Sequence, residues 1–199
     1  MVADDLCLYY QHLSHLHKAM IPSSALDAKR LPTGWTLVAI AAGLWYNVSK
    51  ESGGFFVIKI LFVCHGNICR SPMGEYILKD LVKKAGAESR FHIASAAVSR
   101  EEIGNPVYPP ARRELNRHGI SCDGHRAHQI TRAELENFDR IYYMDRSNAN
   151  YLRRLFGADA EKCRPLLARD VADPWYTGDF ETTWNDILEG CRAILEELL

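Results

Sequence analysis

From residue 57 onward, apolar residues recur in two alternating rhythms. Val57-Ile58-Lys59-Ile60-Leu61-Phe62-Val63 is an almost unbroken β-branched and aliphatic run, the pattern of a strand covered on both faces and so of a parallel sheet. After a short turn, Pro72-Met73-Gly74-Glu75 opens a stretch with Tyr76, Ile77, Leu78, Leu81 and Val82 at helical spacing, ending near Gly86. Phe91 to Val98 predicts a second strand, Ala111 to His118 a helix stopped by Gly119, Ile141-Tyr142-Tyr143-Met144 a third strand and Ser147 to Phe156 another helix. Leu166-Leu167 predicts a short fourth strand. Phe180 to Leu199 puts Trp184, Ile187, Leu188, Cys191, Ile194, Leu195 and Leu198 on one side of a long amphipathic helix. The alternation implies an α/β domain over residues 57–199, a three-layer sandwich with a central four-stranded parallel sheet.

Residues 1–56 lack this alternation. Leu6 to His17 has a helical period, with Leu6, Tyr9, Tyr10, Leu13 and Leu16 on one side, and a connector punctuated by Pro, Ser and Gly follows. The apolar stretch Trp35 to Val48 is interrupted by Thr36 and Asn47 and falls short of the ~20 residues that span a bilayer. It also begins too late for a signal peptide, and the segment is too short to bury a substantial core alone.

Composition then narrows the function. The 199 residues are 47% apolar and 25% charged, with 24 basic residues against 25 acidic. A net charge near zero argues against a protein that coats nucleic acid or holds a membrane through a basic face, but leaves room for a local positive pocket. Six cysteines without regular spacing do not form a secreted disulfide framework, so a reducing, cytoplasmic setting is expected.

In open α/β sheets ligands bind beyond the carboxyl ends of strands, which directs attention to Cys64-His65-Gly66-Asn67-Ile68-Cys69-Arg70-Ser71. With six cysteines and sixteen arginines, Cys-x5-Arg alone arises by chance about half a time at any one spacing. Its context is what carries weight: a buried strand before it, a helix start after it, Gly66 for close backbone approach and Ser71-Pro72 at the turn. Such a loop presents successive N–H groups at the positive end of a helix dipole, an anion site. Arg70 can grip two phosphate oxygens in a fork. The same field favours ionisation of Cys64, since sites of this kind lower a cysteine pKa to ~3.5–7.5, and a thiolate facing a phosphate ester is a nucleophile aimed at phosphorus. Two other readings use the same residues. Cys64 and Cys69 are buried small hydrophobes, as most free cysteines are, or Cys64, His65 and Cys69 ligate zinc, though no second pair stands at finger spacing and Arg70 opposes a cation.

The run Val63 to Met73 resembles the signature loop of the low-molecular-weight protein tyrosine phosphatases. The likeness continues in family order through Ser95-Ala96-Ala97, Gly104-Asn105-Pro106, His118-Gly119-Ile120, His125-Arg126-Ala127, Met144-Asp145 and Asp173-Pro174-Trp175-Tyr176. It covers residues 57–199 and implies a flavodoxin-like fold. It also implies a phosphotyrosine hydrolase working through a phosphocysteine without cofactor or metal, as a monomer or weak homodimer acting on phosphotyrosine proteins, with no nucleic-acid or membrane partner.

By that resemblance Cys64 is the nucleophile, Arg70 and the loop from His65 through Gly66, Asn67, Ile68 and Cys69 hold the phosphate, and Asp173 is the general acid, then base. A lone Asp before Pro is otherwise a turn residue. Trp175 and Tyr176 resemble the aromatic wall for a substrate ring; Trp175 stands where Tyr is frequent, which leaves Tyr176 alone open to phosphorylation there. Asn67, Ser71, Ser95 and His125 correspond to a hydrogen-bonded set under the loop, for which a satisfied polar group is the plainer reading. Ser71 can donate to the Cys64 thiolate. Asp145 orients Arg70, caps a helix, or does both. Cys69 matches the family's second loop cysteine, implying a reversible disulfide with Cys64. Two departures stand out. His65 replaces a small or aliphatic residue, and Glu101, beside Glu102, lies where some relatives carry a large aromatic, which favours substrates with basic flanks.

Three alternatives remain. Protein-arginine phosphatases share the loop but carry Thr at the position of Ile68. Thioredoxin-coupled arsenate reductases need relay cysteines, here only the scattered Cys122, Cys163 and Cys191. A silent phosphotyrosine-binding module would lack Cys64 or Asp173. Residues 1–56 are read as an N-terminal extension, disordered or a misassigned upstream translation: Val57 permits a GTG codon, a bacterial start, and Gly53-Gly54 a ribosome-binding sequence.

Overall fold

A computed structural model of the chain describes residues 57–199 in full and, by backbone alone, two strands ahead of them, β1 (Trp35–Ala39) and β2 (Trp45–Ser49). These pair antiparallel with Trp35 opposite Ser49, so the apolar stretch is broken into two short strands. The helix expected over Leu6 to His17 lies outside the described residues.

The main unit begins with β3 (Ile58–Cys64), followed by α1 (Arg70–Lys84), β4 (Phe91–Ala97), α2 (Pro109–Arg117), α3 (Arg132–Asn137), β5 (Arg140–Tyr143), α4 (Arg146–Phe156), β6 (Cys163–Pro165), α5 (Pro174–Thr177) and α6 (Phe180–Leu198). The sheet is parallel throughout, in the order β4-β3-β5-β6. Within this unit that is 2-1-3-4, the flavodoxin-like order, whose switch point lies between its first and third strands. β3 and β5 therefore flank the crevice where a ligand is expected.

The alternation of side chains on β3 explains why it is apolar without a break from Ile60 onward. Ile60, Phe62 and Cys64 join the core formed with α1, α2 and α6, while Leu61 and Val63 join the core under α3 and α4. Each such side chain stabilises the fold by about 1.5–3 kcal/mol on burial. Gly74 sets how closely α1 lies on the sheet: a Cβ there would meet the Phe62 ring at 2.8 Å.

Three boundaries depart from the sequence reading. α1 starts at Arg70 rather than Pro72, so the phosphate-loop candidate runs straight into the helix. The fourth strand is Cys163–Pro165; Leu166 adds one further bond from its N–H to the Tyr143 carbonyl at 2.9 Å, then turns its side chain onto Gly190 of α6. The short α3 was not anticipated, although Thr131 and Glu134 form a capping box at its start. Among the described residues no helix is long and apolar enough to cross a membrane.

Candidate active site

Cys64 ends the central strand and Arg70 begins α1, so residues 65–69 turn the chain from one into the other. The loop's carbonyls, Gly66 apart, are engaged by other residues. Cys64 accepts from the Val98 N–H (2.9 Å), His65 from Ser99 (3.0 Å), Ile68 from Tyr108 (2.8 Å) and Cys69 from Met73 (3.1 Å), while the Asn67 carbonyl accepts from His125 Nε2 (2.8 Å). The N–H groups of residues 65–70 find no protein acceptor among the described residues. They are the loop's remaining donors, at the N-terminus of α1 where the helix dipole adds positive potential.

Asn67 holds this winding together. It is the one non-glycine residue with positive φ (57°) among the described residues, and Asn is among the few that tolerate it. Its Nδ2 donates to Ser71 Oγ (3.0 Å) and Ser95 Oγ (2.9 Å), and its Oδ1 accepts from the His128 N–H (3.3 Å). Ser71 Oγ lies 3.0 Å from Cys64 Sγ and 3.2 Å from the Ala96 carbonyl. His125 is buried, and burial lowers its pKa despite the bond to Asn67; its Nε2 donates to the Asn67 carbonyl. The set Asn67, Ser71, Ser95 and His125 is thus one connected network.

The charge centre is Arg70, only 3% exposed. One arm reaches Asp145 Oδ2 at 2.5 Å and the other Asp173 Oδ2 at 2.5 Å. Burial works against its charge, but Cys64, Asp173 and Asp145 more than offset this and hold its pKa above the ordinary value. Asp145 fills both roles open to it, since its other oxygen caps α4 through the Asn148 N–H (2.7 Å). Asp173 caps α5 in the same way, accepting from the Trp175 N–H (3.1 Å). The caps fix both carboxylates from behind while their free oxygens face the guanidinium.

Above the loop is a cleft of about 170 Å³. Cys64, Ile68, Cys69 and Arg70 form its floor, Asp173, Trp175 and Tyr176 one wall, and His65, Gly66, Glu101 and Glu102 the opposite rim. Trp175 is 58% and Tyr176 86% exposed, so the wall offers free aromatic surface; Tyr108 braces Trp175 with ring centres 5.4 Å apart. His65 Nε2 meets Glu101 Oε2 at 2.9 Å and the ring sits edge-on to Tyr151. At Gly66 a Cβ would meet Glu102 at 2.9 Å, so this glycine lets the rim close over the loop. Burial, with the Cys64 charge adding to it, pushes the Cys69 thiol far above its usual range.

Cys64, His65, Gly66, Ile68, Cys69, Arg70, Glu101, Asp173, Trp175 and Tyr176 line the cleft, and Asn67, Ser71, Ser95, His125 and Asp145 hold the loop or Arg70 from behind. The sequence reading missed Tyr108, His128, Val171 and Glu75; Val171 offers its carbonyl to Arg70 at 3.4 Å. The relay cysteines of the redox alternative are absent from the cleft: Cys122 follows α2, Cys163 opens β6 and Cys191 is fully buried in α6. Among the described residues no three His, Cys, Asp or Glu side chains are grouped as metal ligands.

Comparison with known proteins agrees with this geometry. Residues 59–199 match the family described as low molecular weight phosphotyrosine protein phosphatase. The chain is 40% identical over 150 residues to the low molecular weight protein-tyrosine-phosphatase YfkJ of Bacillus subtilis, covering 71% of this chain and 96% of that one. The YfkJ crystal structure superposes with a TM-score of 0.68 over 71% of this chain and 94% of that one. The human low molecular weight phosphotyrosine protein phosphatase is 37% identical over 150 residues, 69% of this chain and 94% of that protein. The structure of DARP, a Drosophila arginine phosphatase, shares 29% identity and a TM-score of 0.64 over 70% of this chain and 97% of that one. The chain belongs to the low molecular weight phosphotyrosine protein phosphatase family.

Proposed function

We propose that this chain is a protein-tyrosine phosphatase that hydrolyses phosphotyrosine, and small aryl phosphates, through a phosphocysteine. One observation carries the reading: Cys64 lies at the foot of a loop of unengaged N–H groups beside the Arg70 fork, with the Asp173 carboxylate on the facing wall. In the first step the Cys64 thiolate attacks phosphorus. The S–P bond forms, the ester P–O bond breaks, and Asp173 protonates the departing phenolic oxygen, a contribution of ~10²–10⁴-fold. Arg70 and the loop N–H groups hold the equatorial oxygens as charge moves onto them. In the second step Asp173 takes a proton from water, the new P–O bond forms, and the S–P bond breaks to return the thiolate, which the Ser71 hydroxyl stabilises. Inorganic phosphate leaves.

Trp175 and Tyr176 suit a flat substrate ring, where stacking adds ~0.5–1.5 kcal/mol beyond area burial. Glu101 and Glu102 on the opposite rim favour basic residues beside the phosphotyrosine. The substrates are phosphotyrosine proteins. The thiolate chemistry suits a reducing compartment, so the enzyme acts in the cytoplasm. A second reading, protein-arginine phosphatase, is favoured by the likeness to DARP; the bulky Ile68 on the cleft floor argues for the aryl ester.

Phosphotyrosine and phosphoarginine peptides assayed side by side separate the two. Cys64→Ser is expected to abolish hydrolysis while still binding phosphate. Undiminished turnover by that variant overturns the mechanism.

A further inference from the structure

We infer that Asp186, on α6, is a positioning residue for the general acid: with Thr183 it clamps the peptide groups just ahead of Asp173 and so sets where that carboxylate stands over the leaving oxygen. The inference rests on the phosphatase reading for what Asp173 does there.

Asp173 ends a segment, residues 166–173, that joins β6 to α5 without a helix or strand of its own. Such a segment has no hydrogen-bond ladder to hold it, and loops are ordinarily the most mobile parts of a fold. The two residues before the acid are nevertheless fastened at all four backbone polar groups. The Val171 N–H donates to the Met144 carbonyl at 2.8 Å, and the Val171 carbonyl accepts from Arg70 Nη1 at 3.4 Å. The Ala172 N–H donates to Asp186 Oδ2 at 3.0 Å, and the Ala172 carbonyl accepts from the Thr183 hydroxyl at 2.9 Å. That hydroxyl has one proton and shares it with the Asp179 carbonyl at 3.1 Å. Asp186 meets the Ala172 N–H with a carboxylate, the stronger kind of acceptor.

Two features suit Asp186 to this work. It stands on a rigid element, since Thr183, Trp184, Ile187 and Cys191 bury one side of α6 in the core. Thr183 and Asp186, three positions apart, are neighbours on the helix surface, which is how both reach Ala172. The second oxygen of Asp186 takes Arg169 Nη2 at 2.8 Å, so one carboxylate holds the loop at residues 169 and 172. Asp173 is thus bracketed, by the α6 clamp before it and by its own cap on α5 after it. A general acid must lie within hydrogen-bond reach of the oxygen it protonates, and a misplacement of about 1 Å can cost as much as ~10²-fold in rate.

Asp186→Ala removes both bonds and leaves a residue that suits a helix. Its kcat/KM, which covers the steps up to ester cleavage, is compared on two substrates. Phenyl phosphate needs a proton on its departing oxygen; p-nitrophenyl phosphate, whose leaving group is a weak base, needs far less. Asp186→Ala is expected to lower kcat/KM for phenyl phosphate by about three- to tenfold and for p-nitrophenyl phosphate by less than about twofold. Asp186→Asn keeps an oxygen for the Ala172 N–H, with Arg169 still held by Glu189, and should recover most of the loss. In an Asp173→Asn background, where the acid is already gone, Asp186→Ala should have no added effect.

An equal loss with both substrates overturns the inference, and so does no loss with phenyl phosphate. Failure of Asp186→Asn to recover, or a loss in the Asp173→Asn background as large as in wild type, overturns it too. If Asp186→Ala does not fold, Thr183→Val carries the test, since it keeps the side-chain shape and removes the bond to the Ala172 carbonyl. A loss confined to phenyl phosphate then supports the inference, and an equal loss with both substrates overturns it. If the wild-type protein hydrolyses no aryl phosphate, or Asp173→Asn hydrolyses phenyl phosphate as fast as wild type, the phosphatase reading falls, and this inference with it.

Discussion

Arg70 reaches across 103 positions of the chain to Asp173, with Nη2 2.5 Å from Oδ2. The guanidinium that is to hold the phosphate thus grips the carboxylate that is to serve as acid. An incoming phosphate must exchange one bond for the other. Asp173→Asn weakens the competing bond, so inorganic phosphate is expected to inhibit this variant at lower concentration than wild type. Hydrolysis of phenyl phosphate, whose leaving group needs a proton, should slow by ~10²–10⁴-fold, and that of p-nitrophenyl phosphate by much less. Weaker phosphate inhibition in the variant would show that Asp173 does not compete for Arg70.

Asn67 combines a left-handed backbone with side-chain bonds that reach Ser71, Ser95 and the His128 N–H. These two contributions separate by substitution. Asn67→Gly keeps the backbone and loses the bonds, whereas Asn67→Ala loses both. Both should lose most activity, and Asn67→Ala should be less stable than Asn67→Gly by about 1 kcal/mol, read from urea midpoints. Equal stability would mean that the loop can rewind without a positive φ.

The pair behind the loop gives stability a pH dependence of defined sign. The bond to Glu134 raises the His128 pKa, so the folded state holds that proton more tightly than the unfolded chain. The stabilisation is complete below the ordinary imidazole value and is lost as pH climbs through the raised one. For Glu134, burial raises the pKa, but the bonds from His128 and Thr131 outweigh it and leave it lowered. Its contribution is present above the ordinary carboxylate range and lost as pH falls through the lowered value. His128→Gln should therefore lower the urea midpoint at pH 6 and matter progressively less toward pH 9. A deficit that did not change with pH would point to packing instead.

Cys64 and Cys69 share the floor of the cleft, and burial holds the Cys69 thiol protonated. Peroxide is expected to take the Cys64 thiolate to the sulfenic acid, which the Cys69 sulfur then attacks, with water leaving and a disulfide forming. Wild-type activity should return on adding a thiol after peroxide treatment. Cys69→Ser, lacking the second sulfur, should stay inactive in proportion to exposure. Equal recovery of the two proteins would exclude the disulfide as protection.

The sheet and the loop were legible because their signals are local. From Ile60 onward β3 is apolar without interruption as both its faces are covered, and the reading of Cys64 to Ser71 needed only the strand before it and the helix after. Glu75 was legible only as a residue in the first turns of a helix. Its partner Ser95 is brought to it by strand register, which no stretch of sequence displays. Tyr108 was hidden for the same reason, since it braces Trp175 from a distant segment. The start of α3 is different: Thr131 and Glu134 spell a capping box in the sequence itself, and the short helix they open was overlooked for want of a long apolar period. Leu166-Leu167 looked like strand because it is apolar, but Leu166 packs on Gly190 rather than extending the sheet.

Five carbonyls of the loop, those of Cys64, His65, Asn67, Ile68 and Cys69, are engaged before any ligand arrives, which holds its donors in place for an oxyanion. That readiness does not distinguish the phosphate of an ester from the phosphate released when the ester is cleaved. The receptor that lowers the barrier therefore also retains its product. On the proposed mechanism, turnover is expected to follow the concentration of free inorganic phosphate as well as that of substrate.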